Sequence, residues 1–262
     1  MNDEVLSLVA RHTGLVSNVR SVKAGYRADV KAVVEADQGQ FFVKAFEEPD
    51  PAVPDPQEVA IYPLLGQIAP PLIAYERSSN WMVLLYAFDA GSHCDLRPGS
   101  RDVPKVVATV NAVSGIELPE TLQRFPAPWG RMASPDEAKT LSGSSLLHSD
   151  LQPENILVSE AAVLVDWTAP RSGSPVINLT ELVAQLIVAG HTPEGAEAQV
   201  IGCDGWPQDT TPIDTAAAVL LRLYRTWEKE RPGWAMRYPE DSWLRGISRA
   251  VEMWAEHRNV AS

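Results

Sequence analysis

Residues 146–158 read LLHSDLQPENILV, and residues 163–167 read VLVDW. They place His148, Asp150, Asn155 and Asp166 in a fixed order, with two short β-type runs between the last two. A carboxylate at position 150 sits just ahead of an extended run, in a segment that Pro153 holds as a loop. There it can accept the proton of an acceptor hydroxyl and aim that oxygen at a phosphorus atom. Residues 156–158 and 163–165 can pair as a hairpin turning near Glu160 and Ala161, which brings Asp166 back beside Asn155. An amide oxygen and a carboxylate are hard ligands, suited to Mg²⁺ shared with substrate phosphates. Each residue alone is an ordinary turn or strand-end residue. Four apt side chains at this spacing, bracketed by apolar strands, make phosphoryl transfer the chemistry to expect.

The elements that must hold these residues change character along the chain. Asn2 or Asp3 can cap a first helix whose Val5, Leu8 and Val9 share a face. Strand-like runs follow at 16–23, 30–36 and 40–46, the last two joined by a hairpin turn around Gly39. Residues 47–56 carry four prolines and read as a surface loop. A helix is expected over 57–67, then strands at 72–75 and 81–86. Beyond Gly91 the pattern turns helical: 103–116, 178–189, 213–230 and 242–257 all carry apolar residues at helical spacing. Trp227, Trp243 and Trp254 fit the core faces of the last two. Residues 119–135 are too rich in proline to assign.

Bulk properties exclude several classes. The chain has 262 residues, enough for one large domain or two packed lobes, and 45% are hydrophobic. A formal net charge of −12 argues against nucleic acid or an anionic membrane as partner. Cys94 and Cys203 make no disulfide framework or metal spacing, the leading residues are unlike a signal peptide, and no run is apolar enough to span a bilayer. A cytoplasmic location is expected.

On the motif residues the chain resembles the aminoglycoside phosphotransferase family, antibiotic and small-molecule kinases of the protein-kinase-like superfamily. That family's loop looks like His-Gly-Asp-Leu-x-Pro-x-Asn, followed by a strand ending Asp-Trp. This chain has His148-Ser149-Asp150-Leu151-Gln152-Pro153-Glu154-Asn155 and then Asp166-Trp167, so Ser149 stands where glycine is usual. About a dozen residues separate Asp166 from the helix near Asn178, too few for a phosphorylatable activation loop that positions a peptide.

The resemblance implies a two-lobed α+β kinase fold, with a strand-rich lobe at 1–88, a helical lobe at 89–262 and the nucleotide between them. It implies Asp150 as catalytic base, Asn155 and Asp166 as Mg²⁺ ligands, Lys44 on the phosphates of ATP or GTP, and Glu58 as the lysine's ion-pair partner. Tyr86 and Phe88 would flank the purine-binding hinge, and His148 would be a structural residue of the loop. The turn at 23–29 has one glycine where kinases have several, so Arg27 faces either phosphate or solvent. Asn178 replaces the usual acidic residue at the next helix; an amide there can cap the helix but brings no charge to the loop. The implied acceptor is a small hydroxylated molecule, an aminoglycoside or nucleoside antibiotic first, an amino alcohol or sugar second. A non-catalytic, kinase-like binding module is the competing class. Asp95, Glu181, Asp204, Asp209, Glu240 and Asp241 are acidic candidates for the acceptor site, each more readily explained as surface charge. Trp206 and Trp234 are candidates for a pocket wall.

Overall fold

A computed structural model describes residues 1–22, 28–47, 57–230 and 242–260. Arg27 with most of its turn, nearly all of the 47–56 loop, Trp234, Glu240 and Asp241 lie outside the described residues. The chain divides into two compact units, Met1–Gly91 and Ser92–Ser262. No helix among the described residues is long and apolar enough to cross a membrane.

In the first unit, α1 (Asp3–Thr13) starts where Asn2 accepts a hydrogen bond from the Val5 amide. Strands β1 (Val16–Ser21), β2 (Val30–Ala36), β3 (Gly39–Glu47), β4 (Leu72–Arg77) and β5 (Trp81–Ala87) form one antiparallel sheet in the order β1-β2-β3-β5-β4. Alternation along each strand assigns its two faces. Phe41, Val43 and Ala45 of β3 join Trp81, Val83 and Leu85 of β5 under Val5, Leu8 and Val9 of α1, making a dry core. Glu4 fastens α1 to the β4–β5 turn by accepting from the Ser78 hydroxyl at 2.7 Å and the Asn80 amide at 3.0 Å. The same alternation puts Phe42, Lys44 and Tyr86 on the opposite face, toward α2 (Gln57–Leu65). Sequence and structure agree on these elements to within a few residues.

The second unit begins with β6 (Ser92–His93) and α3 (Asp102–Ser114). The proline-rich stretch contains α4 (Ala127–Met132), with proline in its first turn, where no amide donor is needed. Then come α5 (Pro135–Leu141) and β7 (Ser145–Leu147). Strands β8 (Ile156–Val158) and β9 (Ala162–Leu164) form the expected hairpin, and β6 pairs with β8. Strand β10 (Arg171–Gly173) pairs with β7. Helix α6 (Val176–Val188) is apolar nearly all round and buried nearly throughout, as such a helix must be. It packs against α3, α7 (Pro193–Val200), α8 (Thr211–Glu230) and α9 (Ser242–His257). Arg258 closes the bundle, donating to Glu197 and to Asp214, each at 2.7 Å.

Two local expectations fail here. Helix α6 starts at Val176 behind Pro175, so Asn178 lies inside the helix and does not cap it. Trp254 is fully buried as expected, but Trp227 and Trp243 are only half-buried.

Candidate active site

The loop from His148 to Asp166 is fixed at both ends. His148 is buried; its Nε2 donates to the Val165 carbonyl at 3.0 Å, and its ring meets Trp167 edge-on at 4.5 Å. This is the structural role expected of it. Asn155 donates from Nδ2 to the Asp150 carboxylate at 2.9 Å and to the Asp150 carbonyl at 3.0 Å. Gln152 donates to the other carboxylate oxygen. Asp150 is thus exposed but oriented from two sides. The Val165 amide donates to the Asn155 carbonyl at 2.9 Å, so Asp166 follows directly on the rung that holds Asn155. With Nδ2 committed to Asp150, the Asn155 Oδ1 and the Asp166 carboxylate are two hard oxygen donors at one end of the hairpin. That donor set fits a Mg²⁺ ion whose remaining ligands are phosphate oxygens and water.

Ser149 and Asp166 both adopt left-handed backbone, at φ 63° and φ 66°. Such strain in non-glycine residues gathers at functional loops. At position 149, where the resembling family has glycine, the strain is about 1–2 kcal/mol. The Ser149 hydroxyl is also buried without a hydrogen-bond partner among the described residues. Ser149→Gly is therefore expected to raise stability by about 1 kcal/mol, after the greater flexibility of glycine in the unfolded chain is subtracted. Urea denaturation checks it: the midpoint should rise at unchanged slope, and a fall would refute the strain argument.

Asn178 supports the same loop from below and is fully buried. Its Oδ1 accepts from the His148 amide at 3.2 Å, while Nδ2 donates to the Leu146 carbonyl at 2.9 Å and to the Ser114 hydroxyl at 3.2 Å. An amide does this as donor and acceptor at once, which a carboxylate cannot.

In the first unit, Lys44 and Glu58 form a buried ion pair at 3.2 Å. The Tyr86 hydroxyl donates to the same Glu58 oxygen at 2.8 Å, and the Lys44 ammonium lies 5.6 Å from the centre of the Tyr86 ring. Tyr62 and Phe42 pack on that ring. Tyr86, expected at the hinge, thus has a side-chain role that sequence did not suggest. The Phe88 amide donates to the Gln40 carbonyl at 3.3 Å.

One of the acidic candidates for the acceptor site stands apart in the second unit. Glu181, one turn along α6 from Asn178, is partly exposed as a residue, but its Oε2 is shut off from solvent without a hydrogen-bond partner. Burial, then the nearby negative charge of Asp150, pushes its carboxyl up to about 8, against a donated hydrogen bond from Trp129. Tyr224 on α8 belongs to the same neighbourhood: burial first, then Glu181 and Asp150, hold its hydroxyl well above the ordinary phenol range. The Tyr224 ring meets Trp227 edge-on at 5.4 Å and Trp243 at 6.4 Å. Arg222 draws α4 and α5 onto α8 by donating to the Met132 carbonyl at 3.1 Å and to Glu137 at 2.7 Å. Sequence analysis kept Glu181 as a candidate for the acceptor site while finding surface charge the readier explanation. The only signal was its place three residues after Asn178.

No family model and no curated protein matches the chain. Solved structures do. Choline kinase from Streptococcus pneumoniae superposes with a TM-score of 0.62 at 17% identity, covering 97% of each chain. A spectinomycin phosphotransferase in complex with ADP and spectinomycin gives 0.68 at 12% identity, again over 97% of each. An aminoglycoside phosphotransferase from Alicyclobacillus acidocaldarius gives 0.67 at 13% identity, covering 99% of this chain and 93% of that one. The chain shares the fold of these structures, an antiparallel sheet unit followed by a helical unit.

Proposed function

We propose that this chain is a small-molecule kinase, moving the γ-phosphoryl group of ATP or GTP onto a hydroxyl of a small acceptor. The observation that carries the reading is the loop geometry. Asp150 is held at both carboxylate oxygens, and Val165, the residue before Asp166, pairs with Asn155 at the end of one hairpin. The solved structures with this fold support it, being choline kinase and antibiotic phosphotransferases by name.

In this reading Asp150 accepts the acceptor's hydroxyl proton and keeps the oxygen in line with the phosphorus. Asn155 does two jobs: its Nδ2 fixes the Asp150 rotamer, and its Oδ1, with Asp166, would hold Mg²⁺. The metal, when bound, would offset charge on the phosphate oxygens. Lys44 binds the α- and β-phosphates, and Glu58, steadied by Tyr86, keeps the ammonium extended. The strand end from Tyr86 to Phe88 borders the purine. His148 and Asn178 touch no substrate and hold the loop.

Nucleotide consumption against a panel of hydroxylated compounds tests this: aminoglycosides, spectinomycin, a nucleoside, choline, ethanolamine and a sugar. Turnover above the acceptor-free rate with at least one of them, lost in Lys44→Ala, is the expected result. Nucleotide binding with no turnover for any acceptor would favour a non-catalytic binding module.

A further inference from the structure

We propose that Pro71 is a positioning residue for the nucleotide base: lacking an amide hydrogen, it leaves the Ala87 carbonyl at the end of β5 open as an acceptor for an N–H of the purine. The inference rests on the kinase reading, in which this strand end borders the purine, and names what the site demands of the base.

Backbone pairing decides which groups at the end of β5 are open. The Phe88 amide donates to the Gln40 carbonyl at 3.3 Å, so the polar backbone of Phe88 faces β3. Tyr86, two residues back and opposite Phe42, faces β3 in the same way. Ala87 lies between them and faces the other neighbour. Its amide donates to the carbonyl of Pro71, the residue before β4, at 2.9 Å. In an antiparallel ladder two residues that meet so exchange both bonds, and the second would run from the amide at 71 to the Ala87 carbonyl. Proline has no hydrogen to give, and the bond is missing. Ala87 is half-buried, and its carbonyl has no donor among the described residues. A carbonyl so placed needs a partner from outside the sheet.

Proline beside an edge strand often serves another end, blunting the outer edge against other chains. Strand β4 is an edge strand, in the order β1-β2-β3-β5-β4. The nitrogen of Pro71, however, lies on the same side as its carbonyl, which accepts from Ala87. The missing hydrogen is therefore withheld from β5 and not from the outer edge, so it protects nothing there.

Two residues past Ala87, the Asp89 carboxylate accepts from the Gly91 amide at 2.7 Å and turns the chain. The Asp89 amide has no partner among the described residues. An acceptor followed by a donor suits a base whose edge carries a donor beside an acceptor. Adenine has its 6-amino group beside N1; guanine has N1–H beside O6. An unsubstituted purine ring offers acceptors only and leaves the Ala87 carbonyl unmatched.

Calorimetric titration of the full chain with ADP and with purine riboside diphosphate, each with Mg²⁺, tests the proposal. The parent should bind ADP about tenfold more tightly, the worth of one hydrogen bond. Pro71 is exposed, so Pro71→Ala disturbs no core packing while supplying the missing amide. In that variant the preference should fall to about twofold or less, through weaker ADP binding. Hydrogen exchange should find the new amide at position 71 protected in the nucleotide-free protein. Pro70→Ala, which loosens the chain one residue before the pairing position, should keep the full preference. A merely structural role for Pro71 would weaken both nucleotides alike. Equal binding of the two by the parent, a preference kept in Pro71→Ala, an unprotected amide at 71, or no binding of either nucleotide would overturn the proposal. Phosphoryl transfer from ATP to the acceptor panel, measured on the same protein, separates the two claims. The predicted preference without transfer keeps this inference and removes the kinase reading. Transfer with equal binding of the two diphosphates does the reverse.

Discussion

Asp150→Asn should lower kcat by on the order of 10³-fold, about 4 kcal/mol of transition-state stabilisation, with nucleotide affinity nearly unchanged. The asparagine keeps the contact with Asn155 through its one acceptor oxygen, and the Gln152 amide can turn over to accept from the new NH₂; the Asn155 bond to the backbone carbonyl is untouched, so the loop stays in place. What it loses is the ability to take the hydroxyl proton. The isosteric change thus isolates proton acceptance from architecture, and it removes a negative charge near Glu181, whose carboxyl should move back toward its ordinary range. Steady-state kinetics with nucleotide and acceptor varied separately will show whether kcat alone falls. A loss below about tenfold would mean that Asp150 is not the base.

The largest stability effect is expected at Asn178. Asn178→Leu leaves the His148 amide and the Leu146 carbonyl buried without their partner, at about 1–3 kcal/mol each, or about 4 kcal/mol together. Asn178→Asp is the more telling variant. The carboxylate keeps the bond from the His148 amide but cannot donate to the Leu146 carbonyl, and it places a charge where the residue is fully buried. The protonated acid can donate. Its folded-state pKa is thus raised above the unfolded value, and the deficit grows as pH rises between the two. Thermal denaturation should show Asn178→Asp closest to the parent at about pH 4 and falling away toward pH 8. A deficit that does not change with pH would contradict this account of why an amide stands there.

Local features were the legible ones. The hairpin that joins Asn155 to Asp166 is written in two short apolar runs and a turn, and alternation in β3 alone sets Lys44 on the face away from α1. The proline-rich segment hid α4, because proline reads as a breaker yet is at home in a first helical turn. Asn178 looked like a cap because helix starts favour asparagine; Pro175 moved the start upstream, and a buried amide proved to be the loop's support. The neighbourhood of Glu181 was illegible for a different reason. Trp129, Asp150, Glu181 and Tyr224 come from α4, the loop, α6 and α8, and no spacing in sequence links them. An isolated glutamate on a helix reads as solvent-facing until packing closes one of its oxygens off from water.

The most direct test of the kinase reading is ³¹P NMR of the full chain with ATP, Mg²⁺ and choline or ethanolamine. A phosphomonoester resonance growing in step with ADP, and missing with Asp150→Asn, is the predicted result. ADP accompanied only by inorganic phosphate, or unchanged ATP with every acceptor of the panel, would contradict it.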